Sequence, residues 1–204
     1  MLLALISVFG GIIDNTLAWL TAQTEKVENT FTYGDINLTL VESDTNLDGD
    51  DNPNTNEYEM VPGNTIEKDP VVTVLAGNEA CYLFVKLEES GGDVTLAGIT
   101  HDFDDFLEYE IAEGWQPLLD AEGEPIDGIY YREVGEDTDG YSVDYPVIEE
   151  NKVLVKETVT KAMLNALDDP DALATQYPML TITAYAVQQA NVESALAAWE
   201  LIGQ

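Results

Sequence analysis

The stretch Cys81-Tyr82-Leu83-Phe84-Val85-Lys86-Leu87-Glu88 alternates strictly. Cys81, Leu83, Val85 and Leu87 fall on one side of an extended chain, backed by Tyr82, Phe84, Lys86 and Glu88. Successive strand side chains point to opposite faces, so a period of two reads as a β-strand with one apolar face. The same period runs outward from it. Ile36, Leu38 and Leu40 oppose Asp35, Asn37 and Thr39; Val72 and Val74 mark another strand, and Leu107, Tyr109 and Ile111 another. Ile129–Val134, Tyr141–Tyr145, Val153–Lys156 and Met179–Gln188 bring the expected number to roughly eight. Turn dipeptides punctuate them at Pro62-Gly63, Gly77-Asn78, Gly91-Gly92, Asp127-Gly128 and Asp139-Gly140. Many short strands with such turns point to an all-β fold, an antiparallel, jelly-roll-like β-sandwich.

Two short helices interrupt the pattern. Thr158–Leu167 reads as one, closed by Asp168-Asp169-Pro170 because proline disfavours helix in the residue before it. Near the C-terminus Asn191 is expected to cap a helix whose Val192, Ala195, Leu196, Trp199 and Ile202 share a face, with Gly203 placed to stop it. That stripe is expected to pack onto the sandwich. Asp44–Asn56 reads as a long polar loop, and no internal repeat or inner domain boundary is visible.

At 204 residues, with 45% apolar and 9% aromatic side chains, the chain is long enough to bury a core. Its charge is the extreme feature. Forty acidic against seven basic side chains leave a formal net charge of −33. That balance repels phosphate, which makes nucleic acid and anionic membrane surfaces poor partners, and it attracts divalent cations wherever carboxylates converge. One cysteine excludes an intramolecular disulfide, and one histidine excludes every two-histidine metal site.

Met1–Ile13, MLLALISVFGGII, is an apolar run too short to span a bilayer, and Thr16-Leu17-Ala18 supplies small residues at −3 and −1. Residues 1–18 are therefore expected to be a signal peptide cleaved after Ala18, with Ala22 a less favoured site, although no Lys or Arg precedes the apolar run. Export without disulfides points to a bacterial surface.

The sharpest local motif is Asp44-Thr45-Asn46-Leu47-Asp48-Gly49-Asp50. Oxygen ligands at positions 1, 3 and 5 with glycine at 6 fit a calcium loop, because alternate side chains converge while glycine permits the sharp turn. Asp44, Asn46, Asp48 and Asp50 are the candidate ligands and Ca2+ the candidate cofactor. Position 12 is Thr55 rather than a bidentate glutamate, so Glu57 or Glu59 would have to complete the set. A solvated acidic hairpin loop is the alternative. His101, beside Asp102, Asp104 and Asp105, reads as a surface-loop histidine, and Cys81 as a buried, inert thiol. The sequence holds no G-x-S-x-G, H-E-x-x-H or glycine-rich phosphate loop, so no catalytic residues are assigned and the chain is not read as an enzyme.

Trp19–Leu40, including Asn29-Thr30-Phe31-Thr32-Tyr33-Gly34-Asp35-Ile36-Asn37-Leu38, resembles the processing junction of exported TasA/camelysin proteins. Met60-Val61-Pro62-Gly63-Asn64-Thr65-Ile66-Glu67-Lys68-Asp69 is similar to the family's proline–glycine turn, and Gly77–Lys86 also looks like relatives in Gram-positive bacteria. The matches cover about Trp19 to Glu89; the C-terminal half agrees only in strand pattern. The resemblance implies a subunit of extracellular matrix fibres, processed by a SipW-type signal peptidase and secreted to the cell surface or biofilm matrix. It further implies a homopolymer joined by donor-strand complementation. The donor would lie at the N-terminus of the mature chain, within residues 19–30, with Trp19, Leu20, Ala22 and Val27 as its apolar contacts, followed by a single domain over 31–204. An uncleaved leader would tether the donor and be the chain's one membrane contact. The protease activity described for camelysin does not carry over, since its zinc motif is missing here, and no LPxTG-type sorting signal is present. A monomeric surface module for carbohydrate or a host protein, with Trp115, Tyr130, Tyr131 and Tyr141 as a sugar platform, is the runner-up; a secreted metal-dependent protease stands third.

Overall fold

The computed structural model describes residues 19–23, 36–42, 55–167 and 177–202. From the N-terminus the strands are β1 (Trp19–Gln23), β2 (Leu38–Val41), β3 (Thr55–Glu59), β4 (Thr65–Glu67), β5 (Val71–Val74) and β6 (Cys81–Ser90). A hairpin of β7 (Val94–Leu96) and β8 (Ile99–His101) precedes a single helical turn, α1 (Phe103–Phe106). Then come β9 (Leu107–Ile111), β10 (Gln116–Leu119), β11 (Pro125–Val134), β12 (Val143–Pro146) and β13 (Ile148–Val155). Helix α2 (Lys161–Leu167), strand β14 (Met179–Gln188) and helix α3 (Ala195–Leu201) complete the chain order.

The architecture is an all-β sandwich with short helices, one near the C-terminus. A six-stranded sheet in the order β10-β11-β6-β14-β1-β3 forms one layer, and two three-stranded sheets, β12-β5-β2 and β4-β13-β9, pack against it. The period-2 pattern explains the packing. In register, Leu83 lies opposite Ala186, Val85 opposite Ala184 and Leu87 opposite Ile182, so β6 and β14 turn one continuous apolar face inward. That face meets Leu38, Leu40, Val72, Val74, Val153 and Val155 of the smaller sheets, all buried. Within this sheet Leu83 and Val85 lie beside the small Ala186 and Ala184, which leaves room on that face for side chains of the opposing layer.

The backing face of β6 is also used. Phe84 is fully buried beneath α3, whose Ala195, Ala198 and Trp199 close over Phe84, Leu118 and Ile129. The Trp199 ring lies 5.3 Å from Phe84 and 5.6 Å from Tyr185, centroid to centroid. The apolar stripe of the C-terminal helix thus packs onto the sandwich, as its spacing predicts.

Several local expectations are corrected. Ser194, not Asn191, caps α3: its side chain accepts from the Ala197 amide at 3.1 Å, while Asn191 sits in a turn at φ 66°. Helix α2 begins at Lys161 rather than Thr158, because Thr160 Oγ1 accepts from the Met163 amide and fixes the start there. Thr55 and Asn56 belong to β3 rather than to a loop, and α1 adds a helical turn anchored by buried Phe103 and Phe106. Asp127-Gly128 is not a turn. It lies inside β11, where Gly128 at φ +67° passes so close to β6 that a Cβ would sit 2.2 Å from the Leu87 carbonyl oxygen.

Candidate assembly surface

Trp19, Leu20 and Ala22, three residues of the expected donor segment, lie in β1; Val27 lies outside the described residues. β1 pairs antiparallel with β3 over its whole length, from Trp19 opposite Glu59 to Gln23 opposite Thr55. On its other side it runs parallel to β14, with Thr21 opposite Met179. It is therefore a bridging strand: among the described residues β3 reaches the six-stranded sheet only through β1. Withdrawing β1 would bare the edge of β14 and detach β3, leaving a row of unpaired amides and carbonyls that any strand of suitable sequence can satisfy.

The calcium candidates Asp44, Asn46, Asp48 and Asp50 lie outside the described residues. Of the residues proposed to complete that set, Glu59 is exposed on β3. Among the described residues no group of three or more His, Cys, Asp or Glu side chains is arranged to hold a metal. His101 Nδ1 contacts Asp105 Oδ2 at 2.8 Å across the α1 turn, an i,i+4 pair. Cys81 is fully buried, and burial pushes its thiol up to about 12, which fits the inert thiol that its place in an apolar row predicts. The aromatic platform is not formed as a surface. Trp115 is 8% exposed and its indole N–H donates to the Pro146 carbonyl at 2.7 Å, and half-buried Tyr131 packs under α3; Tyr141 is exposed.

Three polar arrangements were not legible in the sequence. The first is a buried ion pair. Lys68 Nζ meets Glu42 Oε1 at 2.5 Å, with side chains 0% and 1% exposed. Burial lowers the Lys68 pKa, opposed by the Glu42 carboxylate. The second is a cleft of about 400 Å³ between β6, β9 and β11, lined by Glu89, Asp104, Glu108, Tyr109, Tyr130 and Lys156 among others. Tyr109 donates to Glu89 at 2.6 Å. Partial burial pushes the Glu89 carboxyl up, the Tyr109 hydrogen bond opposes this, and Asp104, Asp127 and Asp102 add to the rise.

The third is Arg132 on β11. Its guanidinium carbon stands 4.3 Å from the Tyr145 ring centroid and 5.3 Å from that of Trp115, so it is stacked on aromatics rather than paired with a carboxylate. The one sequence signal for it was its rarity, since no other arginine is present. No family model, curated protein or solved structure matches the chain.

Proposed function

We propose that this chain is an exported structural subunit of an extracellular matrix or surface fibre, whose copies join by donating the N-terminal strand into a neighbour's sheet. The observation that supports it is the place of β1: a five-residue strand held by backbone pairing between β14 and β3. The equivalent strand of another copy would meet the same amides and carbonyls, so exchange conserves hydrogen bonds while joining molecules. An all-β sandwich with its thiol buried suits such non-covalent joining. Calcium bound at Asp44, Asn46, Asp48 and Asp50 is proposed to promote assembly by relieving repulsion between acidic copies.

The test is electron microscopy with size-exclusion chromatography on two chains, Trp19–Gln204 and Thr30–Gln204, each in calcium and in chelator at matched ionic strength. Filaments are expected from the longer chain alone, forming faster in calcium. Monodisperse monomers from both would overturn self-assembly through this strand and promote the binding-module reading. Equal kinetics in calcium and chelator would remove calcium from the mechanism.

A further inference from the structure

The chain carries one arginine among forty carboxylates, and pairing with one of them would be the expected fate of its guanidinium. Among the described residues the ion pairs instead use Lys68, Lys86, Lys152 and His101. Lys156 donates to the Asp104 carbonyl. The Arg132 guanidinium makes no hydrogen bond or ion pair among the described residues; it is held between the rings of Trp115 and Tyr145. Stacking engages the faces of the guanidinium and leaves its in-plane N–H donors free.

The holder is built. The indole bond to Pro146 fixes the Trp115 ring, and Gly114 leaves room for the cation, since a Cβ there would lie 2.6 Å from one guanidinium nitrogen. Its position is equally specific. Arg132 lies on β11, next to β10, the outer strand of the six-stranded sheet; Tyr145 lies on β12, the outer strand of β12-β5-β2. The cation therefore stands where open edges of both layers meet, over Tyr145, two residues along β12 from exposed Val143. Partial burial lowers the Arg132 pKa, a sign that water is thinned around a group which nonetheless stays charged.

We propose that Arg132, held by Trp115 and Tyr145, is a docking point for an Asp or Glu side chain of a second copy of this chain. A rigid planar fork matches a carboxylate through two parallel N–H···O bonds. Charge complementarity names the occupant. Copies of net charge −33 repel, so a contact between them needs a cation on one side, and the other copy brings forty carboxylates. The inference rests on the proposal that copies associate, but not on exchange of β1.

A single arginine gives a single guanidinium Nε–H signal in the ¹⁵N-labelled full chain, assigned by its loss in Arg132→Lys. Unlabelled chain is added while sedimentation velocity follows association. The signal is expected to shift and saturate together with association, and Arg132→Lys to weaken association by roughly tenfold, because lysine lacks the fork. A signal that stays fixed while the molecules associate overturns the docking point and leaves the subunit reading standing. If neither signal nor sedimentation moves, both fall. A shift on adding polyglutamate or polyuronate, but none on adding the chain itself, also overturns it. Should Arg132→Lys fold poorly, the titration of the unsubstituted chain still decides the matter.

Discussion

Burying Lys68 strips an ammonium of its hydration, and the Glu42 carboxylate 2.5 Å away is what makes that tolerable. Removing one partner leaves the other charge buried without its nearest counter-charge. Glu42→Ala is expected to cost about 3–5 kcal/mol in urea unfolding, and the double replacement Lys68→Met with Glu42→Leu to recover most of the loss. A cost below about 1 kcal/mol for Glu42→Ala would show the pair to be dispensable. This pairing could not be read from the sequence. Lys68 sits in Ile66-Glu67-Lys68-Asp69-Pro70, which reads as a polar lead into the next strand, and its partner is 26 residues away. Arg132 is similar, since its two rings come from positions 115 and 145. Cys81 was legible because its neighbours at alternate positions are apolar, and that local pattern alone determines its burial.

At the scale of elements, periodicity was a good guide and turn chemistry a partial one. β14 runs from Met179 to Gln188, the expected bounds, because burial alternates along its first eight residues. Asp127-Gly128 misled because the same dipeptide that makes a turn also permits two strands to approach closely, and only the partner strand distinguishes the cases. Gly128→Ala is expected to cost about 2 kcal/mol or more, combining a left-handed backbone with a clash on the Leu87 carbonyl. Gly135→Ala, with open space at its Cβ position, is expected to change the urea midpoint little. Equal effects from both substitutions would show that the close approach of β11 to β6 carries no stability. Asn191 and Ser194 are both good caps in sequence terms, and the choice fell to the residue whose oxygen reaches the Ala197 amide.

For the whole molecule, the sandwich class followed from alternation, whereas the sheet order and the number of strands, roughly eight expected against fourteen described, did not. Which strands neighbour β1, and that one of those pairings is parallel, are long-range choices with no local signature. Net charge acts at this same scale. A chain of −33 repels itself in the folded state more than when extended, so screening should favour folding. Raising sodium chloride from about 0.01 to about 0.15 M shortens the Debye length from about 30 to about 8 Å and is expected to raise the thermal midpoint. An unchanged or lower midpoint would mean that the carboxylates are spaced too widely to matter.

The burial of Cys81 has a bearing on how such a molecule fares outside a cell. Its surface offers oxidants no thiol while the sandwich is closed, and one per chain as soon as it opens. If the chain is exported as proposed, an oxidising exterior would sort the population: intact molecules would pass through unmarked, and any that had come apart would be caught as covalent pairs.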